Sequence, residues 1–398
     1  MHTTASQADL DLAVSEFRSA FSEIAKGAAA REYHREHLFE EVKTLSELGF
    51  GRLRVPKEFG GFDVSLPVLF ELIAELGEAD SNLPQIFRGH FTAVEVLRHT
   101  LPSDAATRWF TEISAGAIFG NAQTEPATPG AGYQLSTRLK HEGDNYTLSG
   151  RKCYSTGSLY SDYIRVAAMD DDDKHTFAVV RSRTDNVEHL DDWDGFGQRL
   201  TASGTTIFTD TPVEEHGIYN VNEIAAAFHA PFVQLIHLAN LTGIARNVLS
   251  DSIGLVRGRH RTSLHGLADR PADDALVLGT VGRISTYTRT VNALLTSIVD
   301  ILHHADQRFE RGERDVEIYT ESYVAVSEGQ IAMIESVLAS ATLLFDAGGS
   351  TALRSGTNYD RHWRNARTLA SHNPVTYKPH VIGDYRVNGK SPVNFYAT

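Results

Sequence analysis

Cysteine is almost missing from this chain: 398 residues contain one, Cys153. A single thiol excludes a disulfide scaffold and a zinc site built from cysteines. Basic charge is also short, with 37 Lys and Arg against 51 Asp and Glu and a formal net charge of −14. Nucleic-acid binders neutralise phosphates with clustered cations, so that class is excluded too. The start, MHTTASQADLDLAV, lacks the basic and apolar regions of a signal peptide. No stretch approaches the roughly 20 apolar residues of a membrane span. There is no GxGxxG after a strand, no GxxxxGK[ST] and no HExxH, so Rossmann, P-loop and zincin chemistry are unsupported. The expectation is a cytoplasmic, oligomeric protein, long enough for more than one core.

Three zones of differing periodicity are present. To about residue 117 apolar residues recur at helical steps, as in Leu10, Val14, Phe17, Phe21 and Ile24. A second helical segment ends at Leu45, Leu48 and Phe50 with Gly49 as its cap, a third starts at Ser65, and a fourth spans about 82–99. From 118 to about 215, short alternating runs such as NYTLSGRKCYS, DYIRVAAM and HTFAVVRS are separated by turn residues, the pattern of antiparallel strands in a small barrel. The tetrad Asp170–Asp173 reads as a solvated hairpin turn, because it lacks the full ligand spacing of a calcium loop. From 216 onward, Ala225–Leu255, Ala275–Phe309 and Ile318–Phe345 are long apolar-periodic segments, as in an antiparallel bundle. Helices, then strands, then helices make an α+β chain with domains over 1–117, 118–215 and 216–398.

The strand zone holds three segments rich in hydroxyl, amide and glycine: FGNAQTEP (119–126), SGRKCYSTGSLYSDYI (149–164) and FGQRLTASGTTIFTD (196–210). Each could be strand-end turn chemistry, and each could present donors to a flat polar ligand. Ser149 and Lys152 match SxxK, but without companion motifs. In order and spacing the three segments resemble those of the acyl-CoA dehydrogenase superfamily. LTGIARNVLSDSIGLVRGRHRTSLHG, DAGGSTAL and RHWRNARTLASHNP resemble its C-terminal helices. The resemblance covers nearly the whole chain. It implies an acyl-CoA dehydrogenase-like fold: an N-terminal helical domain, a central β-barrel and a C-terminal four-helix bundle.

The departures carry the chemistry. Where the dehydrogenases place their catalytic glutamate, this chain has Asn373, or, at the family's other position, Val233 or Gln234. A neutral amide is no general base. YSTG, WDGFGQRLTASGT and ASHNP resemble instead the flavin-dependent monooxygenase branch, whose members include dibenzothiophene monooxygenases, indole hydroxylases and amino-sugar N-oxygenases. That likeness implies a two-component enzyme. It would take reduced flavin, FMN or FAD, without covalent attachment from a separate NAD(P)H-dependent flavin reductase. With O2 as co-substrate it would form a C4a-hydroperoxyflavin and oxygenate the sulfur, nitrogen or aromatic carbon of a small hydrophobic substrate. The other readings are an acyl-CoA dehydrogenase or oxidase with a displaced base, and a non-catalytic flavin-fold scaffold.

The resemblance implies a catalytic set of Asn121, Ser155 and His372. Flavin would be held by Asn121, Thr124, Tyr154, Ser155 and Thr156, with Arg259 and the amides around Gly348 and Gly349 near its phosphate. A neighbouring subunit supplies contacts of that last kind in the family, which implies a homotetramer built from dimers. Substrate contacts are expected from His90, Phe91 and Tyr133, with Phe87 as further aromatic packing. For His372 the alternative is a helix-end histidine bonded to a carbonyl, and for the aromatics ordinary core packing. No metal is expected.

Overall fold

The computed structural model of the chain describes residues 7–100, 104–126, 135–143 and 145–392. Helical periodicity gives α1 (Gln7–His34), α2 (Phe39–Glu47), α3 (Leu66–Ala79), α4 (Asn82–His99) and α5 (Asp104–Ser114). Gly49 sits just past α2 with φ +87°, the left-handed value that a helix stop calls for. Phe50 follows it and gathers the first core. Its ring meets Phe17 and Phe21 of α1 edge-on at 5.4 and 5.9 Å, and Phe87 and Phe91 of α4 at 5.2 and 5.6 Å.

Every residue of α4 except Arg98 is buried, so the helix carries charge inside the fold. At its C-terminal end, buried Arg54 reaches Glu95 of α4 and Asp306, the latter at 3.0 Å, and His99 stands 3.2 Å from Asp306. A buried cation between two carboxylates satisfies its donors and cancels its charge.

The strands are β1 (Phe119–Ala122), β2 (Arg138–Glu142), β3 (Asn145–Lys152), β4 (Tyr163–Met169), β5 (His175–Arg181), β6 (Val187–His189), β7 (Thr206–Val213) and β8 (Ile218–Tyr219). They form one sheet in the order β6-β7-β3-β2-β4-β5-β8, with β1 running parallel to β4. β4 and β5 pair in register from Tyr163 opposite Arg181 to Met169 opposite His175. Asp170 closes that hairpin, its Oδ1 accepting from the N–H groups of Asp172 and Lys174 at 2.9 and 2.8 Å. The acidic tetrad is thus turn chemistry, and no cluster able to hold a metal occurs among the described residues. Ser149 pairs with Asp210 at 2.8 Å and Lys152 with Glu125 at 2.8 Å, so the SxxK match joins two residues with separate partners.

The C-terminal helices are α6 (Glu223–Gly258), α7 (Ala275–Glu310), α8 (Thr320–Gly348), α9 (Asp360–Ala370) and α10 (Lys378–Asn388). Asn222 caps α6 by accepting from the Ala225 N–H at 2.8 Å, and Asp274 caps α7 by accepting from Leu276 and Val277. One expectation needs correcting: α6 and the segment Val316–Leu353 are each long and apolar enough to cross a membrane by composition. Of their apolar windows 78% and 50%, respectively, is buried within the fold, the place where a core helix spends its apolar residues. β1 and the first part of α6 border one cavity, and the site lies there.

Candidate active site

Missing side chains set the spacing around Asn121. A methyl group on Gly89 of α4 would come within 2.9 Å of the Asn121 Cβ, and one on Gly120 within 2.6 Å of the Ser158 Cα. Helix and turn therefore close on β1 from both sides. Gly157 holds φ +78°, and any Cβ there would strike the Ile86 carbonyl oxygen at 2.6 Å. Ser158 Oγ donates to the Asn121 carbonyl at 3.2 Å, and the Asn121 side-chain oxygen accepts from Gln123 Nε2 at 2.9 Å.

In the neighbouring turn the Ser155 N–H donates to Gly204 O at 3.0 Å, while its hydroxyl is buried and has no partner. Thr156 Oγ1 shares a 2.7 Å hydrogen bond with Ser203, which shares another of 2.7 Å with Thr201. Tyr154 adopts φ +56° and turns an exposed ring toward Trp193, 6.1 Å away. The Thr124 carbonyl accepts from the Cys153 N–H at 2.8 Å and so fastens the two segments together. Glu125 accepts from Lys152, Ser136 and Thr137. Partial burial opposes its ionisation, but these donors hold its carboxyl at about 2. It is a structural clamp.

Beside β1 lies a cavity of about 500 Å³. Arg88 and Thr92 of α4, Asn121 and Gln123 of β1, His229, Val233 and Gln234 of α6, and His372, Asn373 and Lys378 contribute to its wall. Among the described residues no Asp or Glu lines it. All three positions considered for a dehydrogenase base, Val233, Gln234 and Asn373, face this space, and the Gln234 side-chain oxygen accepts from Gln330 at 3.0 Å. Pro231, inside α6, also lines it and supplies no N–H to the helix ladder.

The cavity electrostatics follow from burial. His229 is driven down to about 3 by burial first, then by Arg165 and Arg88. His372 reaches about 3 for the same first reason, with Arg88 adding to it. His372 does have open surface, but it borders the cavity, so the direction toward neutral imidazole stands. The ring of His237 lies 4.4 Å from that of His372, is fully enclosed, and has no partner at either nitrogen. Buried polar groups in native proteins are nearly always paired. Unpaired atoms on Arg88, Thr92, Ser155, His229 and His237 leave donors and acceptors free for a ligand here.

Asn121 and His372 line this cavity together, with Ser155 in the turn that packs on β1. Other expected residues lie elsewhere. His90 is fully buried in the core, where Nδ1 accepts from the Phe119 N–H at 3.2 Å and Nε2 pairs with the Gly51 carbonyl at 2.7 Å. With both nitrogens committed and its pKa lowered to about 4 by burial, it is a packing residue and not a substrate contact. Phe91 and Phe87 are likewise core rings against Phe50. Tyr133 lies outside the described residues.

Arg259 follows α6 and donates to the Ala347 carbonyl at 2.7 Å, beside Gly348 and Gly349. It stands 25 residues beyond Gln234, about 38 Å along the helix axis. Within one chain these three residues do not reach the cavity. Sequence reasoning missed Arg88, His229 and His237; an arginine inside the apolar run QIFRGHF was the available signal.

A flavin ring presents a flat face and an edge of donors and acceptors. The orphan hydroxyl of Ser155 and the Asn121 amide fit such an edge. The acyl-CoA dehydrogenase middle domain matches residues 109–211, and the acyl-CoA dehydrogenase C-terminal domain matches 235–377. The chain is 27% identical over 372 residues to the probable FMNH2-dependent monooxygenase SfnC of Pseudomonas putida, covering 90% of each. Its fold superimposes on FMN-bound TdsC, a dibenzothiophene monooxygenase of Paenibacillus sp. A11-2, with TM-score 0.85 and 24% identity over 95% of this chain and 98% of that one. Against methanesulfinate monooxygenase MsuC of Pseudomonas fluorescens the TM-score is 0.86, with 23% identity over 96% and 98%. The two matched domains span more than half of the sequence, and the chain belongs to the acyl-CoA dehydrogenase family.

Proposed function

We propose that this chain is the oxygenase component of a two-component, FMN-dependent monooxygenase that acts on a heteroatom-containing substrate. The observation that carries the proposal is the cavity beside β1, which has no carboxylate at any position where a dehydrogenase would keep its base. Without a base, a thioester cannot lose its α-proton. A substrate whose own lone pair attacks an activated oxygen needs none.

Bound reduced flavin would supply the electrons that activate O2. The residues that would hold it are Asn121, Thr124, Tyr154, Ser155 and Thr156. Ser155 offers its free hydroxyl to the ring edge, and Asn121 is held by Gln123. His372, neutral and against His237, can accept a proton at one nitrogen or donate at the other, according to tautomer. Flavin and substrate filling the cavity would keep bulk water from the reacting atoms.

Arg259 lies about 38 Å along α6 from Gln234, and Gly348 and Gly349 about 32 Å along α8 from Ser327, in the same chain. They would reach a flavin phosphate only from a neighbouring subunit, which supports a homotetramer of paired dimers. A separate NAD(P)H-dependent flavin reductase would deliver the reduced cofactor, which places the pair in the cytoplasm.

The test supplies the protein with FMN, a generic flavin reductase, NADH and 18O2. One labelled oxygen per product is expected, with dependence on the reductase. In the dehydrogenase reading, anaerobic protein would instead bleach bound flavin on adding an acyl-CoA. Bleaching without label transfer overturns the proposal.

A further inference from the structure

Arg88 is 8% exposed and borders the cavity, with Thr92 one turn further along α4. Among the described residues no hydrogen bond or ion pair to its guanidinium is found, and its Nε is buried without a partner. Among the described residues the cavity is lined by no acidic side chain; its other ionisable neighbours are His229, His372, Lys378, Tyr323 and Tyr377. An arginine stays charged in a protein, and a buried charge without a counter-ion is expensive to keep. Burial lowers its pKa to about 10, still well on the protonated side at neutral pH. The counter-ion is therefore expected to arrive with the ligand.

We infer that Arg88 is the anion anchor of the substrate pocket, and that the substrate is a small organic oxyanion carrying an oxidisable sulfur, not a neutral aromatic. This rests on the monooxygenase reading above and narrows its substrate. The planar guanidinium binds a carboxylate or a sulfinate through two parallel N–H···O bonds, and Thr92 Oγ1, also buried and unpaired, stands beside it as a further donor. Neutral imidazoles at His229 and His372 add donors without adding negative charge. The flavin phosphate has its own candidates in that reading, Arg259 after α6 and Gly349 after α8 of a neighbouring subunit.

The chemistry closes on the reactants named. The sulfur lone pair forms one S–O bond as the O–O bond of dioxygen breaks. Sulfur gives up two electrons and reduced flavin two more. The second oxygen leaves as water with the two hydrogens of the reduced flavin.

Calorimetry on the FMN-loaded protein tests the anchor with four probes: ethanesulfinate, (methylthio)acetate, thioanisole and dibenzothiophene. At least one of the two anions should bind, and which one does identifies the acid group. Arg88→Gln should weaken that binding roughly 10- to 100-fold, the range for a hydrogen bond to a charged group. Arg88→Lys should recover part of it, and FMN affinity, read by fluorescence quenching, should change less than about twofold in both variants. Retained FMN binding also certifies that the variants fold. Binding of the neutral sulfides with no binding of either anion overturns the inference, as does loss of FMN affinity in Arg88→Gln. Anion binding that depends on Arg88 in a protein that transfers no 18O would support the anchor and overturn the monooxygenase reading alone.

Discussion

Two arginines are buried against α4, and the fold treats them in opposite ways. Arg54 is enclosed by Glu95 and Asp306, with Arg98 and His99 completing the cluster. Arg88, on the helix itself, faces histidines, amides and Lys378 and, among the described residues, no acid. The first arrangement cancels its own charge and cements α4 to α7. The second leaves a positive potential at the wall of a cavity, which does nothing for the empty fold and much for an incoming anion.

Stability measurements give the widest separation. Arg54→Met should destabilise by about 3–5 kcal/mol, because it strands Glu95 and Asp306 without a cation. Arg88→Met should cost nothing or raise stability slightly, since it removes an uncompensated charge at similar volume. Urea unfolding of both variants would break the comparison if they lost stability equally.

Next in size is the catalytic side. Ser155→Ala and His372→Ala should each raise the share of reducing equivalents lost as hydrogen peroxide about tenfold, equal to ~1.4 kcal/mol of lost discrimination. Ser155→Ala should leave the urea midpoint unchanged, because its hydroxyl has no partner to lose. Unaltered coupling in both variants would remove these residues from the site.

The smallest effect is a difference in acid response. Burial works against ionisation of Asp306, but the His99 hydrogen bond and the charges of Arg54 and Arg98 keep it at about 2. Its stabilising contribution is complete above about pH 4 and lost as pH falls toward 2. His229, neutral in the fold down to about pH 3, behaves differently. The unfolded chain binds its proton from about pH 6.5 downward, so stability declines over that earlier range. His229→Gln should therefore flatten the loss of stability between pH 6.5 and 4.5 in urea titrations. A slope equal to that of the parent protein would show that the cavity histidines do not govern acid lability.

Much of the fold was legible because its signals are local. The long helices α6, α7 and α8 repeat apolar residues over 29 to 36 positions, and β4 and β5 are short runs divided by a turn whose chemistry is self-contained. Motif order singled out Asn121, Ser155 and His372, and the structure sets Asn121 and His372 on the wall of one cavity. His90 was read wrongly for a geometric reason. It lies two residues from Arg88, which on a helix is about 200°, so the two side chains leave on opposite sides. In most helices a polar face reveals which side is which, but α4 is buried nearly all round and offers none. His237 was hidden because its significance comes from His372, 135 residues away in sequence. The short β6 and β8 have too few residues for alternation to register.

Gly89 and Gly120 define the gap in which Asn121 sits by what they omit. A site gauged in this way is calibrated by backbone thickness, the one dimension that no rotamer can adjust. Side chains around the pocket can therefore be exchanged, and substrate scope altered, while the amide keeps its coordinates. A single methyl group at either glycine would move it at once.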